Sequence, residues 1–123
     1  EHIGPDVPLM VDANQQWDRA TALRMGRRLE EFDLVWIEEP LDAYDVQGHA
    51  DLTAALDTPI ATGEMLASVA EHERLIAARA CDIIQPDAAS PGWSTSTGWI
   101  RCSTSAWRPP EAACCCRSAR GSA

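Results

Sequence analysis

The amino-acid sequence predicts an α/β fold in which four short strands alternate with helices and pair in parallel. Four apolar stretches have the composition of buried strands, and they cover 8–12, 34–38, 58–64 and 81–85. Helix-like patterns fill the segments between them, and strand–helix–strand units of this length form right-handed parallel crossovers. A chain of 123 residues, of which 46% are hydrophobic, is also long enough to bury a core.

The first helix is predicted between the first two strands. Asp18 is a residue type that caps helix N-termini, and it precedes an apolar series at spacings of three and four, namely Ala22, Met25, Leu29 and Phe32. Arginine and glutamate side chains occupy most of the other positions. The pattern predicts an amphipathic helix that buries this apolar face, Phe32 included.

Two further helices are predicted downstream. Ser68 and Glu71 have the spacing of a capping box and open the helix before the fourth strand. A shorter helix is expected from Gly48 to Leu56. We expect His49, near its start, to cap it or to lie on the surface, and His72 to be a packed or half-exposed helix residue.

Acidic residues stand at the ends of the first three predicted strands and bear on two architectures, an open doubly wound sheet and a (β/α) barrel. Asp12, Glu38 and Glu64 follow one another at equal intervals of 26 residues. One βα unit per interval places all three carboxylates at the carboxyl ends of adjacent parallel strands, where barrels build active sites. The spacing favours a partial TIM-type barrel of about three and a half βα units over residues 1–87.

The same three carboxylates predict a bound divalent cation. Negative charges that point into one mouth repel one another unless a cation neutralises them. An all-oxygen ligand set suits Mg²⁺, with Mn²⁺ as the next candidate. Alternation along a strand would turn Glu39 away from the side of Glu38, so only one of the two could be a ligand. No glycine-rich phosphate loop accompanies the strands, which weakens a nucleotide-binding alternative.

Four ordered motifs resemble the mandelate racemase/muconate lactonizing enzyme family of the enolase superfamily, and they lie at 11–14, 36–40, 61–64 and 85–87. The resemblance implies that Asp12, Glu38 and Glu64 are Mg²⁺ ligands on successive barrel strands. It implies that Asp87 is a catalytic aspartate whose partner is a histidine on the following strand. It also places Asn14 beside the substrate, although a plain turn residue is the alternative for Asn14.

Within that family, the amino-acid sequence is most similar to acid-sugar dehydratases with galactarate-like or L-talarate-like substrates. The resemblance implies abstraction of the proton α to a carboxylate, an enediolate intermediate and loss of the β-hydroxyl, which makes the enzyme a lyase. A small-molecule carboxylate is then the partner, and a full-length relative is expected to be a homo-oligomer. A racemase or cycloisomerase of the same superfamily is the alternative reaction.

The net charge and the cysteine content limit which other classes of function and location are compatible with the sequence. The chain has 19 acidic residues against ten arginines and no lysine, a formal charge of −9, which argues against nucleic acid or an anionic membrane as partner. No apolar run reaches the ~18 residues of a membrane span. Five cysteines without a secretory signal predict reduced thiols and a cytoplasmic location.

The departures from the family pattern predict that this chain is inactive by itself. The family's base lysine lies on a strand upstream of Glu1, so an upstream segment is expected to be missing, and no histidine follows His72. Residues 88–123 contain one isoleucine and no leucine or valine, which predicts a divergent tail without a stable core. A frameshifted read of the gene would explain this tail. The alternative to a dehydratase fragment is a non-catalytic remnant with at most weak metal binding.

Overall fold

A computed structural model describes residues 7–86 and the backbone of residues 100–101. The strands are β1 (Val11–Asp12), β2 (Ile37–Glu38), β3 (Ile60–Thr62), β4 (Ile83–Ile84) and β5 (Ile100–Arg101). The helices are α1 (Arg19–Leu29), α2 (Val46–Ala55) and α3 (Val69–Ala77), and a 3₁₀ turn (Glu30–Phe32) follows α1. The predicted alternation of strands and helices is therefore present from β1 to β4. In this part of the chain no helix is long and apolar enough to cross a membrane.

The strands form one sheet in the order β1-β2-β3-β4-β5. The first three pairings are parallel, and Asp12 of β1 stands in register with Glu38 of β2. This confirms an α/β fold with a parallel sheet. β5 pairs antiparallel with β4 and so does not extend the parallel order. The remaining residues of the predicted tail lie outside the described part, and the tail boundary at residue 88 stays a prediction.

The strands are shorter than the apolar stretches that predicted them, mostly at their amino ends, and the backbone turns sharply just beyond the carboxyl ends of the first three. Asn14, Gln15 and Glu39 have positive φ angles of 47°, 61° and 39°, and Gly63 has a φ of 125°. Such angles lie outside the extended region and end a strand. The sharp turns lie beside the acidic residues that end the predicted strands.

Capping residues predicted from the sequence begin two of the three helices. The Asp18 side chain accepts the Thr21 N–H at 2.7 Å, and Ser68 forms the capping box with Glu71. α1 ends at Leu29, so the prediction that Phe32 continues its buried face is wrong. Phe32 lies in the 3₁₀ turn with 56% of its surface exposed.

The helix α2 begins two residues earlier than expected and is capped by Asp45, whose side chain accepts the Gly48 N–H. His49 therefore lies inside the helix, and the expectation that it caps α2 or lies on the surface is wrong. Its ring is fully buried, and Nδ1 donates to the Asp45 carbonyl oxygen at 3.0 Å. His72 is fully buried in α3, which confirms it as a packed helix residue.

Two apolar clusters hold the helices against the sheet. The first joins α1 and α2 to β2 and β3, and it contains Ala22, Leu34, Ile37, Leu41, Leu52, Leu56 and Ile60. The second joins α3 to β4 and the loop after β2, and it contains Ala43, Leu66, Leu75, Ala80, Cys81 and Ile84. Burial of such side chains is the main favourable term in folding, so these clusters fix how the strand ends sit relative to one another.

The buried His49 predicts that stability falls when the pH is lowered. Burial lowers the pKa of His49 below its ordinary value. The unfolded chain then takes up the proton before the folded chain does, so the free energy of unfolding decreases as the pH falls from the ordinary histidine value, near 6.5, to the lowered one.

Urea unfolding between pH 7.5 and 5 measures this effect. The parent is expected to lose stability across this range more steeply than a His49→Leu variant, which lacks the titrating ring. Parallel pH profiles for the two proteins would contradict a neutral, buried His49.

Candidate metal centre

The carboxyl ends of three parallel strands bring the predicted acidic residues to one end of the sheet. Asp12 and Glu38 are the last residues of β1 and β2 and are register partners. Glu64 follows β3 after Gly63 and is exposed. Parallel strands direct their carboxyl ends to the same edge, so the backbone places the three residues on adjacent strands at that edge.

Two of the three carboxylates are hydrogen-bonded to close neighbours in the chain. Asp12 Oδ1 accepts the Asn14 N–H at 2.8 Å, and Glu38 Oε2 accepts the indole N–H of Trp36 at 3.1 Å. Within the described residues, no group of three or more His, Cys, Asp or Glu side chains is gathered closely enough to hold a metal ion. Coordination of one ion would require the three carboxylates to draw closer together, and the hydrogen bonds allow this because each of these carboxylates has a second oxygen.

Glu39 is a fourth acidic residue of this end of the sheet, although strand alternation predicted that it would face away from Glu38. It is only 3% exposed, and its carboxylate accepts a hydrogen bond from Gln15 Nε2 at 2.8 Å. Burial raises the pKa of Glu39, and the charges of Glu64, Asp12 and Glu38 raise it further, against the opposing hydrogen bond from Gln15. The carboxylate of Glu39 therefore lies near enough to each of the other three to be repelled by it.

The prediction that strand alternation turns Glu39 to the far side is wrong. β2 ends at Glu38, and the positive φ of Glu39 breaks the alternation. Its carboxylate consequently accepts a hydrogen bond from Gln15 in the loop after β1. It is also repelled by the carboxylates at the ends of the strands. The sequence feature that could have indicated this is the pair of adjacent glutamates at the end of a strand, since a sharp turn there lets both side chains face the same cluster.

The loop that presents Glu64 is fixed by Gly63 and His72. The Gly63 carbonyl oxygen accepts the Leu66 N–H at 3.2 Å and lies 3.0 Å from His72 Nε2. The other ring nitrogen of His72 lies 2.8 Å from the Ser68 carbonyl oxygen. The imidazole thus ties the start of α3 to the turn immediately before Glu64.

Of the two remaining predicted site residues, the structure describes Asn14 but not Asp87. Asn14 is exposed in the turn after β1, two residues beyond Asp12, so it lies at the same end of the sheet as the acidic residues. Its positive φ is also suited to a plain turn residue. Asp87 lies outside the described residues, and its catalytic role stays a prediction.

The sequence of this chain matches a known family. Residues 1–98 match the model of the Enolase C-terminal domain-like family. The match covers more than half of the chain, and the chain belongs to this family. Membership confirms the resemblance to the enolase superfamily that the motifs indicated.

Among the individual proteins it resembles is the L-talarate/galactarate dehydratase of Salmonella typhimurium, with 68% identity over 92 residues. The 3,6-anhydro-alpha-L-galactonate cycloisomerase of Streptomyces coelicolor is 38% identical over 96 residues. The crystal structure of the Salmonella dehydratase superposes with a TM-score of 0.70 over 72% of this chain. The L-talarate dehydratase of Polaromonas sp. JS666, complexed with Mg and L-glucarate, gives a TM-score of 0.72 at 66% identity.

The chain spans only part of the length of these relatives. The alignment covers 75% of this chain but 23% of the Salmonella enzyme, and 78% of this chain but 27% of the Streptomyces enzyme. The superposition on the Polaromonas structure covers 26% of that chain. The chain therefore corresponds to about a quarter of the length of each of these relatives.

Proposed function

We propose that this chain is a segment of a Mg²⁺-dependent acid-sugar dehydratase and carries its metal-binding carboxylates. The observation that carries the proposal is the placement of Asp12, Glu38 and Glu64 at the ends of three consecutive parallel strands. Its 68% identity to L-talarate/galactarate dehydratase, against 38% to the cycloisomerase, favours dehydration over the other reactions of the superfamily. The substrate class is a dicarboxylic sugar acid related to galactarate.

The architecture that best explains the segment is part of a TIM-type (β/α) barrel. Four strands in sequential parallel order, joined by helices, are the repeating unit of such a barrel. An open doubly wound sheet reverses its strand order at a switch point, where its ligands bind. The order β1-β2-β3-β4 has no such reversal, and the acidic residues instead follow consecutive strands as they would on a barrel rim.

The donor set fits Mg²⁺ in chemistry and in backbone position. Mg²⁺ prefers carboxylate oxygens. Burial raises the pKa of Glu39, the charges of Glu64, Asp12 and Glu38 raise it further, and a bound cation would relieve that repulsion. Glu39 Oε1 is buried and has no hydrogen-bond partner within the described residues, so the cluster is incompletely satisfied as it stands. Asp12, Glu38 and Glu64 would hold the ion, and Mn²⁺ would serve as a substitute.

A bound Mg²⁺ would supply positive charge that stabilises the negative charge developing on a substrate carboxylate. The chain's own residues would position the reactants. Asn14, exposed beside Asp12, offers an amide to a sugar hydroxyl or carboxylate. Asp87 would orient a histidine on the next strand. The chain has no lysine and no histidine after His72, so the base and the acid of the reaction must come from other residues of a complete enzyme.

A Mg²⁺-dependent shift in thermal stability tests the proposed metal site. A ligand that binds only the folded chain stabilises it, by about 1.4 kcal/mol at ten times its dissociation constant. We expect Mg²⁺ to raise the Tm of the parent and to have little effect on a Glu38→Gln or Glu64→Gln variant. Differential scanning calorimetry with and without Mg²⁺ measures this.

A Glu73→Gln variant is the matched control, because Glu73 is exposed on α3 and the charge change is the same. It should retain the full Mg²⁺ shift. A parent chain whose Tm does not respond to Mg²⁺ or Mn²⁺ would contradict the metal site and favour the remnant without metal-binding function.

A further inference from the structure

Resting on the proposed function, we infer that Gln15 is a positioning residue of the metal centre. It braces the end of β1 against the end of β2 and so sets where Asp12 stands relative to Glu38. No ligand role is assigned to Gln15 itself, and it acts through the residues it holds.

Gln15 spans the gap between the two strand ends with three hydrogen bonds. Its backbone N–H donates to the Glu39 carbonyl oxygen at 2.8 Å, and its Nε2 donates to Glu39 Oε2 at 2.8 Å. Its Oε1 accepts the Ala43 N–H at 3.1 Å. The partners are 24 and 28 residues away in sequence, so one side chain joins the loop after β1 to two points of the loop after β2.

The chemistry of these partners selects a glutamine. An ionised Glu39 carboxylate has only hydrogen-bond acceptors, and the Ala43 N–H is only a donor. The side chain that joins them must therefore offer a donor and an acceptor at once. An amide has both. Its orientation is set because a flipped amide would place its NH₂ group against the Ala43 N–H and its oxygen against the Glu39 carboxylate. A leucine would lose both bonds, and a glutamate would place a second carboxylate against Glu39.

The conformation of the loop shows why the brace bears on the metal residues. Asn14 and Gln15 both adopt positive φ, which costs non-glycine residues free energy and persists only when surrounding contacts hold it. The Asn14 N–H in turn binds Asp12 Oδ1 at 2.8 Å. Release of the Gln15 side chain would free this turn, and Asp12 would lose its fixed position opposite Glu38.

Metal affinity of the 123-residue chain tests the inference, with Mn²⁺ alone as the probe and free Mn²⁺ measured by electron paramagnetic resonance. Substitutions behind metal ligands weaken binding by 10–100-fold, and we expect Gln15→Leu to weaken Mn²⁺ binding by about tenfold. Gln47→Leu is the matched control, since Gln47 Nε2 binds Asp51 on the exposed face of α2, away from the carboxylates. It should bind Mn²⁺ as the parent does.

A swap of the amide and the carboxylate tests whether the hydrogen bonds between residues 15 and 39 support metal binding, while the Gln15→Leu variant separates that role from a contribution to stability alone. Gln15→Glu should weaken Mn²⁺ binding by repelling Glu39. The double variant Gln15→Glu/Glu39→Gln restores a donor opposite an acceptor, keeps an acceptor for Ala43 and should recover affinity relative to Gln15→Glu. A Gln15→Leu variant with a lowered urea midpoint but unchanged Mn²⁺ affinity would overturn the inference, as would a double variant no better than Gln15→Glu.

Failure of the proposed function remains distinguishable from failure of this inference. If the parent binds no Mn²⁺, the proposed metal site is wrong, and amide hydrogen exchange without metal then decides on Gln15. Gln15→Leu must speed exchange at Asn14, whose N–H binds Asp12 Oδ1, while leaving Ala61 of β3 as protected as in the parent. Unchanged exchange at Asn14, or an equal loss at Ala61, would overturn the positioning role.

Discussion

The 123-residue chain, saturated with Mg²⁺, is expected to form no measurable 2-keto acid from galactarate or L-talarate. Positioned acid–base groups contribute about 10²–10⁴-fold each to proton transfer. The chain has no lysine and no histidine beyond His72, so it lacks the lysine base and the histidine acid that the family resemblance implies. The carboxylates could polarise a substrate through a metal, but the proton α to the carboxylate would have no positioned acceptor.

A chimera provides the complementary measurement. Residues 7–86 can replace the matching segment of the Salmonella dehydratase, which supplies the rest of a complete enzyme. We expect the chimera to produce 2-keto acid and its Glu38→Gln version to lose nearly all activity. Turnover by the 123-residue chain alone would contradict the assignment of the base to other residues. A folded but inactive chimera would count against dehydration and favour racemisation or cycloisomerisation.

Replacement of Gly63 by valine is expected to destabilise the fold and to remove the response to Mg²⁺. The φ of 125° at Gly63 is adopted almost only by glycine, and a Cβ there would lie 3.4 Å from the Gln85 carbonyl oxygen. Such strain costs about 1–3 kcal/mol, and a β-branched residue belongs at the upper end. The turn would relax by moving its carbonyl away from His72, and Glu64 would move with it.

Urea unfolding and the Mg²⁺-dependent Tm together measure this effect. Arg79→Gly is the control of opposite sign, because Arg79 is exposed and already holds a φ of 54°, where glycine is favoured. It should keep or raise stability and leave the Mg²⁺ response unchanged. A Gly63→Val protein as stable as the parent would show that the turn before Glu64 is not conformationally restricted.

Local signals in the sequence predicted where α1 and α3 begin, because the capping residues of these helices were recognised from the sequence. Asp18 and the Ser68–Glu71 pair act within one turn of backbone, so the residues that make the contact are neighbours in the chain. The placement of Asp12 and Glu38 was predictable for a related reason. Equal βα spacing and the parallel direction of the strands bring their ends to one edge whatever the side chains do afterwards.

Predictions failed where an element ends before its pattern does, and where distant residues decide the outcome. Alternation along β2 predicted a Glu39 that faces away, but the strand ends one residue earlier and Gln15, 24 residues away, accommodates its carboxylate. Helical periodicity placed Phe32 in the core, but α1 stops at Leu29 and leaves the ring exposed. His49 gave no sign of burial, because only the packing of α2 removes its ring from water.

By itself the sequence determined the order of the strands and helices, two of the three helix starts and the strand ends that carry Asp12, Glu38 and Glu64. These depend on backbone periodicity and on contacts within a few residues. Only the tertiary structure decided that Glu39 joins the cluster, that Gln15 links two strand ends and that His72 holds the turn before Glu64. Such contacts form only when packing brings together loops separated in the chain, and their strength depends on burial that no local pattern records.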